Sequence, residues 1–309
     1  MALDVGLTRN QIERRLASGS WRRLAHGAFC LQGTWENASP EGRHLLVSQA
    51  VLVTREEPGR QALSHVSAAV LHRLPVSTQQ LGVVWLTAPP DGVRSTRYTP
   101  LLRREVAPLP PADLTTLAGL PVTSLARTLA DTLRHLPLEH SVPLVDAGLQ
   151  SAAGEPHLVP REALEEVLAR QSSWPYAQSA AAALRLVDPR RESALESRSA
   201  ITMDAFGLPA PTPQAIILDS SGAFVARVDF LWKEYGVVGE ADGLTKYRTE
   251  DPVEVFMAER ERQARLEELG LIVIRWTWRQ LSGRPPEFVL RLRRAFAAGS
   301  PTRFCGRVA

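Results

Sequence analysis

The chain has little cysteine, almost no lysine, and no long apolar run. Its two cysteines, Cys30 and Cys305, lie far apart and outside any C-x-x-C or Cys/His zinc spacing, which excludes a disulfide-framework protein. No basic stretch leads into an apolar signal core at the N-terminus, and no run of about 18 apolar residues offers a bilayer span, so a cytoplasmic protein with no membrane partner is expected. Internal repeats and long low-complexity segments are absent too. Lys233 and Lys246 are the only lysines, so nearly all of the 36 Lys+Arg are arginine, set against 33 Asp+Glu for a net charge of +3. Arginine suits phosphate contacts, although GC-rich coding gives the same bias. At 309 residues and 44% hydrophobic content the chain is long enough for two or three domains with globular cores.

The most informative pattern is a pair of carboxylates in the last third. Residues 223–232 (AFVARVDFLW) read as a strand, Lys233-Glu234-Tyr235-Gly236 as a tight connection, and residues 237–242 (VVGEAD) as the returning strand. With Lys233 facing Gly236, the register sets Asp229 opposite Glu240. Opposed Cβ atoms lie roughly 4.5–5.5 Å apart, and like charges there destabilise a hairpin unless a cation neutralises them. Asp242 shares a strand face with Glu240, and Lys246 follows four residues later. Upstream, Glu192 and Glu196 are spaced i, i+4 on an expected helix capped by Asp188, with Pro189 in its first turn. Hard oxygen donors of this kind suit Mg²⁺ or Mn²⁺. The alternative is a surface hairpin whose scattered acids pair with nearby arginines.

These residues carry a family resemblance. Glu192-Ser-Ala-Leu-Glu196-Ser-Arg198, Arg227-Val-Asp229-Phe-Leu-Trp232, Glu240-Ala-Asp242-Gly243, and Arg262 with Leu269-Gly270-Leu-Ile-Val-Ile-Arg275-Trp276 resemble the very-short-patch-repair-like branch of the PD-(D/E)XK endonuclease superfamily, over about a third of the chain. The resemblance implies metal-assisted phosphodiester hydrolysis. Asp229 and Glu240 would be metal ligands, Glu196 the helical carboxylate that ligates the metal or orients a ligand or a water, and Lys246 or Arg262 the phosphate contact. Asp242 stands where many members carry the lysine of E-x-K. This branch commonly has E-x-D-G followed by a basic residue or histidine, a role open to Lys246.

The N-terminal segment is short and basic. Thr8 caps an expected helix from Arg9 to about Ala17, and residues 21–29 (WRRLAHGAF) form a small basic hairpin. Helix and hairpin together are the parts of a winged helix, with Arg9, Arg14, Arg15, Arg22 and Arg23 as candidate DNA contacts. The alternative is a solvated basic helix packed on the next domain. Residues 6–12 (GLTRNQI) and 19–29 (GSWRRLAHGAF) resemble the winged helix of the AbiEi-type antitoxin family, which implies DNA and a cognate toxin as partners. That family has one or two further helices ahead of this point, where this sequence offers about seven residues, so the module is expected either to begin further upstream or to lean on the rest of the chain.

The expected fold is α/β (α+β): a partial winged helix over 1–37, a mainly helical antitoxin-like middle domain over 38–154, a helical connector over 155–188, and a PD-(D/E)XK-like core over 189–299. In the middle region, 44–54 and 64–74 read as helices, 83–87 as a short strand, and 124–136 as a helix with Leu125, Leu129, Thr132, Leu133 and Leu136 on one face. No catalytic constellation stands out there; His65 and His72 read as packed or solvated. Two connector helices fit 161–170 and 177–186. Further on, a helix from Pro252 to about Leu269, a strand over 271–278 and a helix over 287–297 complete the pattern. Trp276 and Trp278 fit core packing better than base stacking. Two functions from different classes follow: a Mg²⁺-dependent DNA endonuclease in repair or defence, or a non-catalytic antitoxin-like regulator that binds DNA or a toxin.

Overall fold

In the computed structural model, which describes residues 7–54, 61–90, 96–150, 159–243 and 252–309, the chain forms two compact units, Met1–Arg185 and Leu186–Ala309. Both mix helix and strand, so the protein is α+β.

The first unit opens with α1 (Arg9–Ala17). Thr8 and Gln11 form a reciprocal capping box at its start. Only Ile12 of this helix is buried. The strands β1 (Trp21–Ala25) and β2 (Ala28–Leu31) pair antiparallel, followed by α2 (Gln32–Asn37) and α3 (Pro40–Val53), the latter capped by Ser39. A six-stranded sheet comes next. Its members are β3 (Ala62–Leu63), β4 (Val84–Ala88), β5 (Arg97–Thr99), β6 (Leu102–Val106), β7 (Leu114–Leu117) and β8 (Leu120–Thr123), in the order β5-β6-β4-β3-β8-β7. The helix α4 (His65–Leu71) follows β3 directly. Then α5 (Leu125–His135) forms the hub on which α4, α6 (Leu138–Leu149), α7 (Arg161–Arg170) and α8 (Ala177–Leu184) all pack.

Two features depart from the expectation. The middle region holds this sheet of short strands beside its helices. Its strands are two to five residues long, too short for alternation to register, and β6 reads Leu-Arg-Arg-Glu-Val, which looks like surface. The helices expected as a connector form close to their predicted bounds, yet they belong to the first unit's core. Leu164 is fully buried, and Arg134 of α5 donates to Gln171 Oε1 and the Pro175 carbonyl.

The second unit runs α9 (Ala194–Ala205), β9 (Thr212–Leu218), β10 (Phe224–Trp232), β11 (Val237–Asp242), α10 (Pro252–Glu268), β12 (Ile272–Thr277), α11 (Trp278–Gly283), α12 (Pro285–Ala298) and β13 (Arg307–Val308). The strand order is β12-β11-β10-β9-β13, with β12 parallel to β11 and the other neighbours antiparallel. β9 was not anticipated. Helices cover both faces, so the central strands are apolar on both sides. Leu195, Phe230, Trp232, Val237, Trp276, Phe288 and Leu292 form one core, and Ile217, Val228, Val238, Leu266 and Leu271 the other. Gly239 is required by the first core, since a Cβ there would stand 2.6 Å from the Trp276 ring and 2.9 Å from that of Trp232. Trp276 is fully buried and donates its indole N–H to Ser199 Oγ at 2.7 Å, in keeping with core packing.

The start of α9 differs from expectation. Ser193, not Asp188, is its cap, and Glu192 precedes the helix. Asp188 instead accepts from the backbone N–H and the guanidinium of Arg190. A serine one position before an apolar turn, with glutamate three residues on, outcompetes an aspartate followed by proline and two arginines.

Candidate catalytic site

The β10–β11 hairpin turns through a 3₁₀ segment, Lys233–Tyr235, and Gly236 at φ +62°. Its register is Phe230↔Gly239, Leu231↔Val238 and Trp232↔Val237, with Asp229 and Glu240 the next residue along each strand. Alternation buries Val238 and Glu240 toward α10, while Gly239 meets the tryptophans on the other face. The Asp229 carboxylate accepts from the Ala241 backbone N–H at 2.7 Å, which pins it across the strand pair.

Glu196 reaches the same place from the first turn of α9. Its two oxygens accept from Ser193 Oγ (2.6 Å), from the Glu192 backbone N–H (3.0 Å) and from the Gln214 amide (2.8 Å). Gln214 adopts a left-handed backbone, φ +51°, at a non-glycine residue on β9, a strained conformation of a kind that gathers at sites. Glu196, Asp229 and Glu240 thus line one cavity of about 550 Å³ together with Gln214, Arg227, Glu259, Arg262 and Trp278.

The electrostatics of the cavity are those of crowded acids. Burial pushes the Glu240 carboxyl up, Arg262 opposes this and Asp229 adds to it, for a value of about 7. Glu196 is raised as well, first by burial and then by the charge of Asp229, despite its hydrogen bonds. Glu259 on α10 goes the other way. Burial would raise it, but Arg262 and Arg275 outweigh that and bring it to about 2. Arg262 bridges the two acids, with Nη1 2.9 Å from Glu240 Oε1 and Nη2 2.6 Å from Glu259 Oε1, and Arg275 pairs with the same Glu259.

Of the residues singled out in the sequence, Glu196, Asp229, Glu240 and Arg262 share this cavity. Asp242 does not line it and pairs with Arg275 at 3.4 Å. Lys246 lies outside the described residues. Glu192 sits at the rim in a bidentate pair with Arg227. Arg9, Arg14, Arg22 and Arg23 are exposed in the other unit, where Arg22 stacks on Trp35 and Arg23 on Phe29; Arg15 is half-buried and stacks on Trp21. The sequence reading missed Gln214 and Glu259. The Glu259/Arg262 spacing of three on a helix was the available signal for the second.

The donor set fits a hard divalent cation. Two carboxylates on adjacent strands face a cavity, and burial together with the charge of Asp229 raises Glu240 to about 7 although Arg262 pairs with it. Among the described residues, three side-chain ligand atoms come within 4.8 Å of one another only at His65, Glu105 and His135 in the first unit. Glu196 is therefore placed beside the Asp229/Glu240 pair and not in a tight triad with it.

Searched against family models, the chain matches none. It is similar to two proteins of Mycobacterium tuberculosis, uncharacterized protein MT2308 of strain CDC 1551 / Oshkosh and uncharacterized protein Rv2248 of strain ATCC 25618 / H37Rv. Each is 29% identical over 163 residues, which is 53% of this chain and 57% of the relative. The matched stretch thus spans little more than half the length of those relatives.

Proposed function

We propose that the second unit is a Mg²⁺- or Mn²⁺-dependent DNA endonuclease of the PD-(D/E)XK kind, brought to DNA by the basic helix and hairpin of the first unit. The observation that carries this reading is the convergence of Glu196, Asp229 and Glu240 with Arg227 and Arg262 on one cavity. The order of α9, β10, β11, α10 and β12, with β12 parallel to β11, follows the helix, strand, strand, helix, strand pattern read from the sequence and supports the reading, while β9 adds a strand outside that pattern.

In this reading Asp229 and Glu240 hold the cation and Glu196, through its hydrogen-bonded oxygens, orients the attacking water. A bound divalent ion supplies a water of lowered pKa and neutralises charge developing on the phosphate. Arg262, which pairs with Glu240, and Arg227 both line the cavity and are the guanidinium groups that would contact the phosphate. The α1 arginines contact the DNA backbone, an interaction that weakens with salt.

Cleavage of supercoiled plasmid and single-stranded DNA by wild-type and Asp229→Ala protein, with Mg²⁺, Mn²⁺ or chelator, tests the proposal. Metal-dependent nicking that falls by about 10²-fold or more in the variant supports it. A folded wild-type protein that shifts DNA but cuts under none of these conditions removes the catalytic reading. That result would favour the second one, a non-catalytic AbiEi-like antitoxin or regulator, for which the specific observation is Asp242 where the superfamily lysine stands, tied to Arg275.

A further inference from the structure

The first unit holds a second constellation that the nuclease reading does not use. His65 opens α4 with a left-handed backbone, φ +49°, and is fully buried, stacked on Trp85 with ring centroids 4.2 Å apart. A non-glycine residue in that backbone conformation is strained and persists only where its surroundings fix it. Glu105 from β6 and His135 from the end of α5 converge on it. His65 Nε2 lies 3.2 Å from Glu105 Oε2 and 3.1 Å from His135 Nδ1, and His135 Nε2 lies 3.6 Å from Glu105 Oε1.

We propose that His65, Glu105 and His135 form a binding site for a divalent transition-metal ion such as Zn²⁺. Three observations carry this. The separations from His65 Nε2 to Glu105 Oε2 (3.2 Å) and to His135 Nδ1 (3.1 Å) match those of adjacent ligands about 2.0–2.1 Å from a common ion, which for tetrahedral or octahedral geometry are about 2.9–3.4 Å, and one ligand atom from each of the three residues lies within 4.8 Å of the others. Glu105 Oε2 is buried, with His65 Nε2 at ion-pair distance (3.2 Å), so its charge is turned toward the two imidazoles and away from solvent. The other ring nitrogen of His65, Nδ1, stands 2.9 Å from Ser64 Oγ, the outer support that metal-binding histidines use. Imidazole donors select Zn²⁺, Co²⁺ or Fe²⁺ over Mg²⁺. Three protein ligands leave a coordination position free, and His135 also lines a cavity of about 670 Å³ bounded by Tyr98, Arg103, Arg134 and Tyr176, so a ligand reaches the ion from that side.

The opposing account is a metal-free ion-pair network, since Arg134 Nη2 also stands 3.5 Å from Glu105 Oε1. Titrating the chelator-treated full-length protein with Co²⁺ separates the two. The site gives ligand-field absorption that saturates at one equivalent, is displaced by Zn²⁺ but not by Mg²⁺, disappears in His135→Asn and Glu105→Gln, and persists in Asp229→Ala. No such band in the wild type, or one that survives both first-unit substitutions, overturns the assignment. Should both variants fail to fold, the wild type decides alone: Zn²⁺ raises the unfolding temperature of the first unit if the site exists, and an unchanged transition overturns it.

Discussion

Both units bury acids, and they do so in opposite electrostatic settings. In the first, Asp131 is fully buried on α5 between Arg127 (2.8 Å) and Arg134 (2.8 Å), with Gln171 donating to it as well. Burial alone would raise its carboxyl, but the neighbouring His65, Arg127 and Arg134 hold it below the ordinary range. Glu105 is brought to about 2 in the same way, burial being outweighed by His65, His135 and Arg134. In the second unit Glu240 and Glu196 are raised, because burial acts with the charge of Asp229 and the available cations fall short. Asp131, met by two guanidinium groups, is complete as a scaffold. Glu196, Asp229 and Glu240 crowd one another around a cavity, and this crowding is what supports the cation site proposed for the second unit.

The sharpest way to break this contrast is to remove one acid from each setting. Asp131→Ala leaves two buried guanidinium groups short of their anion and should cost about 3–5 kcal/mol, read as loss of hydrogen-exchange protection along α5. Glu240→Gln should do the reverse near neutral pH in the absence of metal. Glu240 titrates at about 7 when folded against 4.5 when unfolded, so the native state binds the proton more tightly. Its contribution is therefore fully present below pH 4.5 and is lost as pH rises through 7, on the order of 3 kcal/mol. Wild-type stability of the second unit should fall across that window without metal, and Glu240→Gln should flatten the fall. An unchanged slope in the variant would show that Glu240 is not the group responsible.

The second site was far more legible in the sequence than the first. Asp229 and Glu240 sit next to the paired residues of one short hairpin, so two local strands suffice to bring them to one cavity. Glu196 needed only the fold to deliver it. The first unit's cluster joins residues 65, 105 and 135 from α4, β6 and α5, and the short strands between carry no periodic signal, while the sequence pattern of α5 shows only its apolar stripe of Leu129, Thr132 and Leu133. The opposite face is buried too: Arg127, Asp131 and Arg134 are at most 3% exposed, and the guanidinium groups of both arginines stack on Trp174. Helical periodicity finds the apolar stripe, but nothing local says that a distant Asp113 and Gln171 will satisfy charges on the other side.

Packing sharpens the comparison at a smaller scale. Gly239→Ala places a methyl against two buried indoles one residue before Glu240, and overpacking of this sort should cost about 1–3 kcal/mol in the second unit alone. If hydrogen exchange in β11 stayed as protected as in the wild type, the close approach of Trp276 would not be what demands glycine. The smallest effect should come from the cavity rim. Arg227 and Glu192 form a bidentate pair at 2.7 and 2.8 Å, but both are about half exposed, so solvent screens it and Glu192→Ala should change stability by under about 1 kcal/mol. The same substitution unties Arg227 at the cavity mouth without touching Glu196, Asp229 or Glu240. Under the nuclease reading it should therefore shift the salt dependence of DNA binding and spare metal affinity. A loss of metal binding comparable to that in Asp229→Ala would instead place Glu192 among the cation's own ligands.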